Sequence, residues 1–163
     1  MNTSDVLKYG HQTVLQTVEG LPYAEWDTPG VCGVWSVRQI IAHLASFEHL
    51  LVDVLHSLLD DEPTPTLEKF QQSIAAFSDA EVAARQDKIA AEIWAEYNDT
   101  YAQAAHLLSR VPVEARAVNG LLPWYGQGYS LDDFIVYTFY GHKREHCAQI
   151  MVFRDQLNGK EES

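Results

Sequence analysis

The stretch Tyr129–Leu157, YSLDDFIVYTFYGHKREHCAQIMVFRDQL, decides the fold. It opens on Ser130 followed three residues later by Asp133, an acidic variant of the capping box that starts a helix. At about 100° per residue, Ile135, Phe139, His142, His146, Gln149, Ile150 and Phe153 share one side. Lys143, Arg144 and Arg154 fall toward the other side. The spacing predicts a helix over Leu131–Leu157, followed by a polar tail, NGKEES, from about residue 158. His142 and His146 stand one turn apart on the inward face, where both rings can reach one point. A buried imidazole must satisfy its ring nitrogens. For two stacked in an apolar stripe, a shared metal ion is an economical way to do so.

Three more segments carry helical periodicity. Helix one is predicted over Ser4–Glu19 and helix two over Val37–Asp60, the latter capped by Ser36 with Gln39 reaching back. Helix three is predicted over Asp79–Arg110, started by Ser78 with Glu81, with Ile89 and Ile93 in its apolar line. A short helical turn is expected around Leu67–Ala75, and VPVEARAVNGLLPWYGQG is expected as a loop. No segment alternates like a strand. The expectation is an all-α four-helix bundle forming one domain over residues 1–163. The long connection between helices two and three is enough for a crossover.

Composition narrows the function classes. Hydrophobic residues make up 47% and charged residues 21% of 163, as in ordinary globular proteins. A net charge of −12 offers neither a nucleic-acid backbone nor an anionic membrane the basic patch it needs. No apolar run approaches the ~20 residues of a membrane span, and the start MNTSDVLKYG has no signal-peptide pattern. Two cysteines, Cys32 and Cys147, are too few for a disulfide scaffold and fit a reducing, cytoplasmic setting.

The histidine pair needs a third ligand. His43 sits at the edge of the helix-two stripe and can turn toward a neighbouring helix. His11 points inward from helix one. His49 and His56 lie with Asp53 on the opposite, solvated face of helix two, where they could take up a metal adventitiously; His106 faces outward. Three neutral imidazoles leave coordination positions open, as in catalytic rather than closed structural sites. The donor set admits zinc, nickel or ferrous iron. A di-iron centre would want paired Glu-x-x-His motifs, and helix four has no inward Glu three residues before either histidine.

VWSVRQIIAHLASFE, followed about a hundred residues later by HKREHCAQI, resembles the DinB-like superfamily of four-helix-bundle metalloproteins, which includes the YfiT-like proteins. Trp35, Ser36, His43, Leu44, Glu48, His142, His146, Gln149 and Ile150 carry the resemblance, which spans essentially the whole chain. It implies a divalent metal held by His43, His142 and His146, a crossover between helices two and three, and frequent homodimers. It further implies thiol-dependent transfer with a low-molecular-weight thiol, or hydrolysis of a small reactive molecule. The competing class is a protein that sequesters a small molecule or metal without turnover. Glu48, His11 and Glu145 are the candidate acid–base groups. Gln149 is a candidate partner for a ligand ring, and Trp124, Tyr125 and Tyr129 are candidates for the pocket mouth.

Overall fold

The computed structural model describes residues 2–162; Met1 and Ser163 lie outside the described residues. Helix α1 spans Thr3–Val18 and α2 spans Val37–Leu59. The connection holds α3, Pro65–Gln72, and α4, Ile74–Ala84; α5, Ala90–Ser109, follows. After the short α6, Val113–Arg116, the last helix runs as α7, Leu131–Val136, a π turn, Tyr137–Gly141, and α8, His142–Glu162. Among the described residues the only strand-like pairing is one Cys32–Trp35 bridge.

Side-chain contacts fix the helix directions. Arg38 donates to the Lys88 carbonyl at 3.3 Å and His49 meets Thr100 at 3.4 Å, so α2 and α5 run parallel. Gly10 lies against Phe139, and Arg154 donates to the Thr17 carbonyl at 2.6 Å, so α1 and the last helix also run parallel. Glu48 meets Lys143 while the earlier His43 meets the later His146, so α2 and α8 oppose. His11 meets Tyr97, while the earlier Ser4 meets Arg116, whose guanidinium also donates to the Leu108 carbonyl at the end of α5, so α1 and α5 oppose. The order is up-down-down-up, which requires the crossover that α3 and α4 supply.

The predicted third helix is broken. Instead of one helix over Asp79–Arg110, the chain leaves α4 at Ala84 and re-enters at Ala90, and Ile89 is 64% exposed rather than in line. Tertiary contacts explain the break. Arg38 takes the freed carbonyls of Gln86 and Lys88, Ile89 donates its amide to Glu92, and Arg85 forks between Glu81 and Glu96 at 2.7 and 2.8 Å. Ser78, expected as a cap, sits inside α4 and caps nothing. The turn expected near Leu67 is α3, with Pro65 at its first position and the Thr66 and Leu67 amides donating to Asp53 at 2.6 and 3.1 Å. Asp53 is therefore a buried cap rather than a solvated neighbour of His49 and His56. The capping boxes at Ser36–Gln39 and Ser130–Asp133 form as expected. The loop after α5 includes α6, and the polar tail is helical as far as Glu162.

The core falls into two apolar halves. One gathers Leu7, Leu51, Leu55, Leu107, Phe134 and Phe139; the other gathers Val14, Trp26, Ile40, Ile93, Cys147 and Ile150. In the helices between them sit His11, Glu48 and Lys143, all buried. A polar layer thus crosses the bundle, and the histidine cluster lies at its edge.

Candidate metal centre

The π turn sets up the site. The His142 amide donates to the Tyr137 carbonyl, five residues back, so the helix takes one extra residue in this turn. The turn fits because residue 10 of α1 is glycine: a Cβ there would stand 2.2 Å from the Phe139 carbonyl oxygen. The extra residue changes the register of everything after it. A wheel at a constant 100° puts Lys143 toward the outer face; here Lys143 is 1% exposed and points into the core. It contacts the Glu48 carboxylate, itself fully buried, and lies 5.3 and 5.4 Å from the ring centres of Tyr97 and Tyr101.

His142 and His146 leave the same turn facing His43 on α2. The Nε2 atoms of His43 and His142 are 3.0 Å apart, as are those of His142 and His146. Among the described residues this is the one group of three or more His, Cys, Asp or Glu that could hold a metal ion, its three ligand atoms all within 4.8 Å of one another. Nitrogens ligating one ion at ~2.0–2.1 Å stand roughly 3–3.4 Å apart, so the spacing fits.

The opposite ring nitrogens add a second test of fit. His146 Nδ1 lies 2.9 Å from the Gln149 Oε1, an acceptor, so it carries the hydrogen. His142 is hydrogen-bonded to the Thr138 backbone. With those hydrogens committed, the Nε2 lone pairs of both rings face each other, an arrangement a shared cation resolves. Burial lowers all three imidazole pKa values: His43 to about 3, with further repulsion from His142 and His146, and His142 to about 4, with His146 adding. The rings are neutral at pH 7 and free to ligate. The His43 Nδ1 has no hydrogen-bond partner; Trp35 and Phe47 pack on its ring at 5.1 and 4.9 Å between centres.

The remaining candidates are distributed around this cluster. Gln149 orients His146. His11 lies apart from the cluster among the buried residues of α1, stacked on Tyr101 at 3.6 Å and 3.2 Å from the Tyr97 hydroxyl, and its pKa falls to about 4 through burial and the nearby Lys143 charge. Glu48 is sealed in the core; burial raises its pKa while Lys143 pulls it back. Glu145 is exposed beside His142. Trp124 packs on Phe134 and Phe70 over the bundle end, and Tyr125 and Tyr129 line a separate cleft with Tyr137. His49 and His56 are occupied elsewhere, by Glu96 and Asp60. Sequence reasoning missed Lys143, because nothing in the residues announced the π turn. It also missed Phe47, Phe70 and Ile74 beside His142, since bulky apolar residues in helices read as core.

The model of the mycothiol maleylpyruvate isomerase N-terminal domain family matches residues 7–131, more than half of the chain, and the chain belongs to that family. It is a DinB-like family, in keeping with the resemblance read from the two motifs. His43 falls within the matched span, and His142 and His146 beyond it. No curated protein and no solved structure matches the chain.

Proposed function

We propose that this member of the mycothiol maleylpyruvate isomerase N-terminal domain family holds one divalent metal ion with His43, His142 and His146. We further propose that it acts on a small reactive molecule by thiol-dependent transfer. The observation that carries the reading is the convergence of three neutral Nε2 atoms, two of them on rings already hydrogen-bonded through another atom. A divalent ion there supplies Lewis acidity, lowering the pKa of a thiol or a water toward neutrality. Thr138 and Gln149 hold the His142 and His146 rings in ligating orientation. Trp35 and Phe47 pack on the His43 ring and screen it from water.

Transfer from a low-molecular-weight thiol is favoured over hydrolysis on two grounds. The family's name carries a thiol. A thiol acidified to its thiolate is already the nucleophile, whereas hydrolysis gains from a positioned base, and Glu48 is sealed against Lys143. Glu145, exposed beside His142, is the acid–base candidate that remains in reach of substrate. Three imidazoles serve zinc, nickel or ferrous iron alike. A homodimer in a reducing, cytoplasmic setting completes the proposal, supported by superfamily habit and two free cysteines. A second reading, sequestration of a metal or small molecule without turnover, draws on the same triad and on the sealing of Glu48.

The test is elemental analysis of metal-loaded, desalted wild type and His142→Ala, followed by thiol and electrophile panels read by mass spectrometry. About one ion per chain in wild type, its loss in the variant, and adduct formation that stops on chelation are expected. Equal metal in both proteins refutes the ligand set. Turnover that survives chelation refutes the mechanism, and metal binding with no turnover across the panel selects the second reading.

A further inference from the structure

His142 is the most exposed of the three imidazoles. It forms part of the wall of a cleft of about 300 Å³ between α2, α3, α4 and the π turn. The other walls are Phe47, Phe70, Ile74 and Tyr137, with Ser78 and Thr138 contributing the polar atoms. No lysine or arginine lines it. The charged residues in the two adjoining clefts are acids: Glu145, beside Tyr137 and His142, and Asp133, beside Tyr125 and Tyr129. The two cations that follow His142 in the chain are directed elsewhere. Lys143 is turned inward onto Glu48, and Arg144 donates to the Tyr140 hydroxyl at 2.7 Å.

Two opposing influences act on a ligand approaching here. A divalent ion attracts anions. The walls offer apolar and aromatic surface, and the nearby carboxylates repel negative charge. A dianion would have to shed water from a second carboxylate against largely apolar walls with no cationic partner, whereas a ring would bury its faces against Phe47 and Phe70. We propose that this cleft receives an uncharged, apolar group of about one to two rings and discriminates against dicarboxylates. The proposal rests on the functional reading above and adds the substrate class to it. Ile74, 61% exposed at the first position of α4, is the specificity residue to vary, because unlike Tyr137 it lies outside the π turn and the two adjoining clefts.

The test has two arms. In the first, cobalt(II)-loaded protein is titrated with 2-naphthalenethiol and with mercaptosuccinate, read by the visible spectrum of the metal. Both offer a sulfur ligand, and affinities are compared per thiolate, correcting for the lower pKa of the aryl thiol. The aryl thiol should bind tenfold or more tightly, and Ile74→Lys should narrow that ratio at least fivefold. In the second, metal-free protein is titrated with the neutral fluorophore N-phenyl-1-naphthylamine, and Ile74→Lys should weaken binding at least fivefold. Equal or tighter binding of mercaptosuccinate to wild type, or naphthylamine binding indifferent to Ile74→Lys, overturns the proposal. If cobalt does not bind at all, the metal reading falls, and the naphthylamine arm still decides what the cleft admits.

Discussion

Replacing Lys143 with methionine tests the polar layer most directly. Lys143 is 1% exposed and its partner Glu48 fully buried, so the substitution leaves a carboxylate with its one cation gone and Oε2 already without a hydrogen-bond partner. Breaking a buried pair from one side costs about 3–5 kcal/mol, because the remaining charge is uncompensated. Against a total stability of about 5–15 kcal/mol, that is a large fraction. For a chain of this size it corresponds to a fall in melting temperature of roughly 6–20 °C. The deficit should depend on pH in a definite sense. Burial already raises the Glu48 pKa, and without Lys143 it rises further. A carboxyl whose folded pKa lies above its unfolded value binds its proton more tightly when folded. The variant is therefore weakest above that raised pKa and recovers as pH falls through it. Urea unfolding of wild type, Lys143→Met, Glu48→Gln and the double variant forms the cycle. The double variant, with no buried charge, should lose less than the sum of the two singles by about 2 kcal/mol or more. Additive losses, or a Lys143→Met deficit that does not shrink in acid, would refute the reasoning.

Further outcomes follow from the same geometry. Saturating divalent metal at ~1,000 times its dissociation constant should stabilise the wild type by about 4 kcal/mol in thermal unfolding, and His146→Ala should abolish that gain. His11, lowered to about 4 by burial and Lys143, gives stability that is complete above the unfolded value near 6.5 and lost as pH falls toward 4. His11→Phe should remove a slope of about 1.4 kcal/mol per pH unit in that window, and an unchanged slope in urea titrations would sink the assignment. Gly10→Ala forces a Cβ against the Phe139 carbonyl; it should cost about 1–3 kcal/mol and weaken metal binding, since the π turn must shift and carries His142 with it. Asp53→Ala, which strips the Thr66 and Leu67 amides of their acceptor, should cost about 1–2 kcal/mol by denaturant melt.

The fold was legible wherever local physics decides. Ser36 with Gln39 and Ser130 with Asp133 announce helix starts because each side chain meets an amide three residues away, and both do so here. The break inside the predicted third helix was not legible. No glycine or proline stands at Arg85–Ile89. The helix ends there because Arg38, nearly fifty residues earlier, takes the freed carbonyls. A helix terminated by a distant partner leaves no local signature. Asp53 fails to read as a cap for the same reason: its targets belong to α3, thirteen and fourteen residues on.

The site was legible to the extent that its spacing survives the π turn. His142 and His146 both follow the inserted residue, so their i,i+4 relation is intact and the pair converges as the sequence implies. What the insertion changes is the relation of that pair to everything before it. Rotating α8 by one residue's worth brings Lys143 inward with the histidines instead of outward, and Glu48 is then required as its counter-charge. The inward turn of Lys143 is thus a product of the π turn, which the close approach of Gly10 to Phe139 accommodates. The family match ends at Leu131, before this turn begins. The matched span thus takes in His43 and stops short of His142 and His146, and the convergence of all three imidazoles rests on the geometry of α2 and α8. Metal analysis of His142→Ala and Gly10→Ala consequently bears more heavily on function than the family match does.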